Sequence, residues 1–235
     1  MEAIVALLTL TALEVVLGID NIVFISILSD KLPPEQRAKA RLIGLSLAFV
    51  MRVLFLFSIT WIMRLSQPLF AVFGIDFSGR DLILIGGGLF LMGKATYEIH
   101  HKLEVAQGEI KVPKTLTLAA AVFQILLVDL VFSVDSVITA VGLARELWVM
   151  VTAVLIAIVF MMAFAGPVSR LIDAHPSLKV LALAFLVLIG FNLMAEGFDY
   201  KIPKGYTYFA MAFALAVEVL NIRLQYRAKP PSKVG

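Results

Sequence analysis

Seven stretches of this chain, at roughly 4–28, 42–64, 81–98, 116–143, 147–168, 179–198 and 206–223, are strongly apolar. A bilayer core of about 30 Å takes about 20 helical residues to cross, and each stretch approaches or exceeds that length. Lipid offers the backbone no hydrogen bonds, so each crossing has to satisfy its own, as an α-helix does. The reading is therefore an all-α, polytopic membrane protein of about seven transmembrane helices. With 61% of 235 residues hydrophobic and 16% charged, a soluble domain would have nowhere to hide its apolar surface.

Polar punctuation separates the spans: Ser29 to Pro34, Asp76 to Arg80, Gly108 to Lys114, and Lys201 to Gly205. No polar block is long enough for a soluble domain, which leaves one membrane domain over 1–235. The third span is the shortest and holds Gly86, Gly87, Gly88, Gly93 and Lys94. The first lacks a basic leader and contains Glu14 and Asp20, so it is expected to be a retained helix rather than a cleaved signal. There is no cysteine, which removes disulfides and thiolate metal sites. The net charge of +3 is small and dispersed, so the basic residues point to lipid headgroups and not to nucleic acid.

Of the 20 Lys and Arg residues, 13 fall on one side of this topology and five on the other, with Arg52 and Lys94 inside spans. The positive-inside rule then sets the N-terminus outside and the C-terminus in the cytoplasm.

Two segments share a pattern: Glu14-Val15-Val16-Leu17-Gly18-Ile19-Asp20-Asn21 and Asp129-Leu130-Val131-Phe132-Ser133-Val134-Asp135-Ser136. Each has two acids six residues apart followed by a small polar side chain. Leu91-Met92-Gly93 and Leu188-Ile189-Gly190 give a weaker echo. A unit of three spans crosses an odd number of times, so its second copy runs the opposite way. The expected plan is two inverted three-helix repeats, about 1–100 and 115–200, plus an extra helix at 206–223. Such repeats bring substrate sites to the midplane of transporters.

Glu14 and Asp129 fall within about one turn of mid-bilayer, with Asp20 about 6 Å and Asp135 about 8 Å to either side. An acid facing lipid at that depth costs at least a few kcal/mol, so each should point into the bundle. Residues six apart diverge by about 120° on an ideal helix. Either Gly18 breaks the first helix and swings its acids together, or the acids address different neighbours. The alternative to a functional role is mutual hydrogen bonding in protonated form, or pairing with Arg52 or Lys94. Four acids exceed two intramembrane cations, which favours an external cation or protons.

Glu14, Asp20, Asn21, Asp129, Asp135 and Ser136 offer only hard oxygen ligands, suited to Mg²⁺, Ca²⁺ or Mn²⁺. The expected metal ligands are Glu14, Asp20, Asn21, Asp129 and Asp135, with Ser136, Arg52, Asn192 and Glu196 as secondary pathway residues. His100, His101 and His175 are assigned to cytoplasmic loops. Glu98 and Glu218 are assigned to exposed, snorkelling positions, and Lys94 either to snorkelling or to pairing with an acid.

The two acidic motifs resemble those of the TerC family of bacterial inner-membrane proteins. Asp81-Leu82-Ile83-Leu84, Gly87-Gly88-Leu89-Phe90-Leu91 and Pro203-Lys204-Gly205-Tyr206 extend the resemblance along essentially the whole chain. It is strongest to the short, YgdQ-like type, which lacks appended cytoplasmic domains. The resemblance implies a seven-helix transporter-like fold in the bacterial inner membrane, links to tellurite resistance and, for several members, to manganese export. Glu14, Asp20, Asn21, Asp129 and Asp135 match the family's acidic positions.

The leading expectation is export of a hard divalent cation, Mn²⁺ first, by alternating access, with the metal as substrate and no cofactor. Oligomeric state is left open. A non-transporting partner in a tellurite or metal-stress complex is the alternative. An intramembrane aspartyl hydrolase is the third reading, but Gly18-Ile19-Asp20 and Ser133-Val134-Asp135 lack its Gly-x-Gly-Asp signature, so no enzymatic activity is expected.

Overall fold

The computed structural model describes residues 2–72, 74–106, 116–144 and 146–228. The connection at 108–114, Arg145 and the basic tail with Lys229 and Lys233 lie outside the described residues, as do the side chains of Asp20, Lys102 and Arg227. In chain order the elements are α1 (Glu2–Asp30), α2 (Pro34–Phe57), α3 (Ile59–Leu65), β1 (Pro68–Val72), β2 (Ile75–Ser78), α4 (Gly79–Ala106), α5 (Leu118–Leu143), α6 (Leu147–Ala174), α7 (Pro176–Gly197) and α8 (Lys204–Ala228). Among the described residues, seven of these helices, all but α3, are long and apolar enough to cross a membrane.

Local chemistry sets the boundaries. Pro34 opens α2 at a position where a missing N–H costs nothing. Helix therefore starts eight residues before the apolar run at 42, and α2 ends at Phe57 rather than 64. Arg37 turns back on α1, donating from Nε to the Leu32 carbonyl at 3.1 Å and from Nη2 to the Asp30 carbonyl at 2.9 Å. A cation on the open carbonyls of a helix C-terminus is favourable. Thr117 caps α5 by accepting from the Ala120 N–H at 3.3 Å.

Two findings correct the sequence reading between spans two and three. The segment is not a simple loop: β1 and β2 form an antiparallel hairpin in which Val72 pairs with Ile75. Gly74 adopts φ +81° in its tight turn, a conformation that glycine reaches without steric cost. The third span is also not short, since α4 runs for 28 residues. Its start is fixed by a capping box. Asp81 Oδ2 accepts from the Ser78 N–H at 2.9 Å and its hydroxyl at 2.6 Å, while Ser78 Oγ accepts from the Asp81 N–H at 3.2 Å. Phe77 stacks on Phe70 and meets Phe198 edge-on, tying the hairpin to the end of α7.

The helices pack chiefly in three pairs, α1 with α6, α2 with α5, and α4 with α7. The last pair is antiparallel and very close. A Cβ built on Gly190 would meet the Gly88 carbonyl at 2.7 Å, and one on Gly88 would strike the Gly190 carbonyl. Gly93, the position suggested by the weaker sequence echo, has nothing within 4 Å. Gly18 is not a break: α1 is continuous, and a Cβ there would meet Met161 Sδ at 2.5 Å. Its role is close approach of α1 to α6. α5 is the most enclosed span and α8 the least, with 61% and 6% of their crossing stretches buried.

Candidate functional site

The centre of the bundle is held by Arg52 of α2, which is 1% exposed. Its Nη1 donates to Glu14 Oε2 of α1. Its Nε and Nη2 donate to Asp129 Oδ1 of α5, at 3.2 and 3.0 Å. Asn21 Nδ2 adds a third donor to the same oxygen at 3.3 Å, and Ser133 Oγ donates to Oδ2 at 3.1 Å. Helix geometry explains who meets whom. Glu14 and Asn21 lie two turns apart on one face of α1, and Asp129 and Ser133 one turn apart on α5. Two carboxylates share one guanidinium, so these three side chains carry an excess negative charge when ionised.

Asp135 belongs to a second cluster. Its Oδ1 accepts from Arg80 Nη2 at 2.6 Å and its Oδ2 from Lys204 Nζ at 2.8 Å, while Arg80 also engages Glu196. The acids of α5 thus address different neighbours, as their angular divergence allows: Asp129 faces α1 and α2, Asp135 faces α4 and α8. Lys204 reaches its place because α7 ends in a Schellman motif. The Asp199 N–H bonds the Glu196 carbonyl at 3.0 Å and the Tyr200 N–H bonds the Ala195 carbonyl at 2.9 Å, with Asp199 at φ 63°. That turn carries the chain back over the bundle. Beneath it lies a cavity of about 70 Å³, lined by Asp135, Asn192, Glu196, Lys204 and Thr207 above Leu17 and Phe132. Asn192 Nδ2 donates to Thr207 Oγ1 at 2.6 Å.

On the other side of the central cluster, a void of about 10 Å³ touches Asn21, Asp129, Leu45, Ala48 and Met161. That is room for at most a single water. Beyond it, at the α1–α2 turn, charges lace the helices together. Asp30 holds Arg37 at 2.9 Å and engages Lys179, and Arg37 lies 3.6 Å from Asp173. Glu98 engages Lys31 and sits 3.1 Å from Lys94. Among the described residues, ion pairs join the helix ends at the α1–α2 turn, and a cavity lies at the hairpin end.

Glu14, Asn21 and Asp129 come together around Arg52, and Asp135 and Glu196 come together around Arg80 and Lys204. Ser136 is buried but donates to the Ser133 carbonyl of its own helix at 3.5 Å. Asn192 lines the cavity. Among the described residues, no group of three or more His, Asp or Glu is placed as a preformed metal shell. Arg80 and Lys204, which the apolar pattern assigns to loops, lie in the first turns of α4 and α8, so more cations face the acids than the two inside the spans. The Ser78-Gly79-Arg80-Asp81 capping pattern was the available signal that Arg80 sits in a first helical turn. Glu98 is also corrected: it is 6% exposed, because two ammonium groups compensate it. His100 and His101 lie within α4, not in a loop.

A seven-span bundle with carboxylates and a guanidinium buried at its centre defines an integral membrane protein of transporter-like build. The chain belongs to the integral membrane protein TerC family, whose model matches residues 1–233. It is 52% identical over 221 residues to UPF0053 inner membrane protein YgdQ of Escherichia coli strain K12, covering 94% of this chain and 93% of that one. It is 51% identical over 225 residues to a UPF0053 protein of Haemophilus influenzae, covering 95% of each. A match to UPF0053 inner membrane protein YoaE of Escherichia coli strain K12, 51% identical, spans 92% of this chain but 42% of YoaE. No solved structure matches the chain.

Proposed function

We propose that this protein is a divalent-cation transporter that exports Mn²⁺ from the cytoplasm by alternating access. The observation that carries this reading is the meeting of Glu14 and Asp129, from α1 and α5, inside an apolar bundle that has a cavity on one side. Acids in a membrane interior are costly and are functional by default. A buried ion pair adds little net stability over apolar packing, so folding alone is a poor reason for this cluster. The ligands in this reading are Glu14, Asp20, Asn21, Asp129 and Asp135, with Glu196 and Asn192 along the path.

The pairing of α1 with α6 and of α2 with α5, around antiparallel α4 and α7, supports two inverted repeats. With the N-terminus outside, as the distribution of Lys and Arg suggests, the cavity beside Asp135 opens outward and the ionic networks at Asp30 and Glu98 lie on the cytoplasmic side. The preference for Mn²⁺ rests on hard oxygen ligands and on the family resemblance.

The engagement of Glu14, Asp129 and Asp135 by Arg and Lys favours a second reading, a non-transporting membrane partner whose charges hold its helices together. Purified protein in liposomes loaded with a metal-sensitive dye separates the two. Mn²⁺ flux that Asp135→Asn or Asp20→Asn abolishes supports transport. Absence of flux for Mn²⁺, Mg²⁺ and Ca²⁺ overturns it.

A further inference from the structure

Arg52 is the feature that a plain cation site does not need. A divalent ion at Glu14 and Asp129 would find a guanidinium already on the same oxygens, with Nη1 on Glu14 and both Nε and Nη2 on Asp129 Oδ1. The void beside Asp129 is not lined by Glu14, so an ion lodged there would not reach both acids while Arg52 holds them. Retaining Arg52 would also place a monovalent and a divalent cation together where little solvent screens them.

We propose that Arg52 is a tethered surrogate cation: it occupies the Glu14–Asp129 pair when the transported ion is absent, and the ion binds only when the guanidinium gives up those oxygens. This rests on the transport reading above and adds to it a specificity-determining residue. The physical need is clear. Glu14 and Asp129, 4% and 5% exposed, would be uncompensated buried charges whenever the carrier is empty. A guanidinium delivered by a third helix gives both acids a cation and cuts the charge of the empty site from two to one, so the empty carrier can exist and change conformation. It also sets a threshold, since a weakly bound monovalent ion will not displace three charge-assisted hydrogen bonds. Because the site is free only in the fraction of molecules where Arg52 has moved away, the apparent affinity is lowered by that fraction.

The experiment measures Mn²⁺ binding by titration calorimetry on the purified full chain in detergent, comparing wild type with Arg52→Gln and Arg52→Lys. Gel filtration and melting serve as fold checks. Removing the competitor in Arg52→Gln is expected to tighten Mn²⁺ binding about tenfold or more. Arg52→Lys, with one point charge in place of a fork, is expected to tighten it by a smaller factor. Adding Asp129→Asn to Arg52→Gln is expected to remove the gain. Mn²⁺ binding to wild type that is unchanged or weaker in the Arg52 variants overturns the surrogate role and leaves transport standing. A gain that survives Asp129→Asn also overturns it, because the ion then binds elsewhere. No Mn²⁺ binding to any folded variant removes the transport reading itself. Should Arg52→Gln fail to fold, Arg52→Lys alone decides, with unchanged or weaker binding as the overturning result.

Discussion

Asp129 Oδ1 lies 3.3 Å from Asn21 Nδ2, the one direct hydrogen bond among the described residues between the two acidic motifs. It joins α1 to α5 on the same oxygen that receives Nε and Nη2 of Arg52. One carboxylate oxygen therefore registers three helices at the bundle centre. Any substitution there acts on packing and on charge together.

Removing one partner from a buried ion pair strands the other. Arg52→Gln is expected to lower stability by about 3–5 kcal/mol, because Glu14 and Asp129 both lose their cation, and Asp129→Asn by about 1–3 kcal/mol, because Arg52 keeps Glu14. Asn21→Ala removes one weaker donor and is expected to cost about 1 kcal/mol. The double variant Arg52→Gln/Asp129→Asn should be less destabilised than the sum of its single changes. Chemical unfolding in detergent, followed by tryptophan fluorescence, measures all four. Additive effects would show that the pair is not coupled.

The outer cluster predicts an order of effects. Lys204 is 46% exposed at its side chain, so Lys204→Gln is expected to cost no more than about 1 kcal/mol. Arg80 is 17% exposed and engages both Asp135 and Glu196, so Arg80→Gln should cost more, about 1.5–3 kcal/mol. Equal losses from the two changes would contradict this geometry.

At the α4–α7 crossing, backbone meets backbone. Gly190→Ala is expected to force the helices apart at a cost of about 1–3 kcal/mol, since the new methyl would meet the Gly88 carbonyl at 2.7 Å. Gly93→Ala, one helix position with open space around it, is expected to be neutral or stabilising by up to about 1 kcal/mol. Melting temperatures of the two purified variants give the comparison directly.

Glu98 anchors α4 to the end of α1 through Lys31 and bonds Lys94 one turn back. Glu98→Ala should cost about 1.5–3 kcal/mol through its charge-assisted bonds. Glu218→Ala, on the sparsely packed α8, should cost under about 0.5 kcal/mol. A loss at Glu218 matching that at Glu98 would mean that α8 is packed in the measured sample.

The linear sequence determined the span count, because bilayer thickness sets a minimum apolar length that no packing can change. It determined that Glu14, Asp129 and Asp135 face the interior, because lipid penalises a bare carboxylate wherever the helices go. Only the tertiary structure decided their partners. Arg80 and Lys204 sit beyond the apolar runs, and a capping box and a Schellman turn bring them over Asp135. Arg52 was legible as a buried cation needing an acid, but not as the shared partner of two, since that depends on how α2 sits between α1 and α5. Gly18 and Gly190 could be read as glycines, yet whether each bends a helix or admits a neighbour depends on the atoms opposite. The hairpin at 68–78 is not legible in the sequence because its strands are only five and four residues long, and its pairing joins the end of α3 to the start of α4.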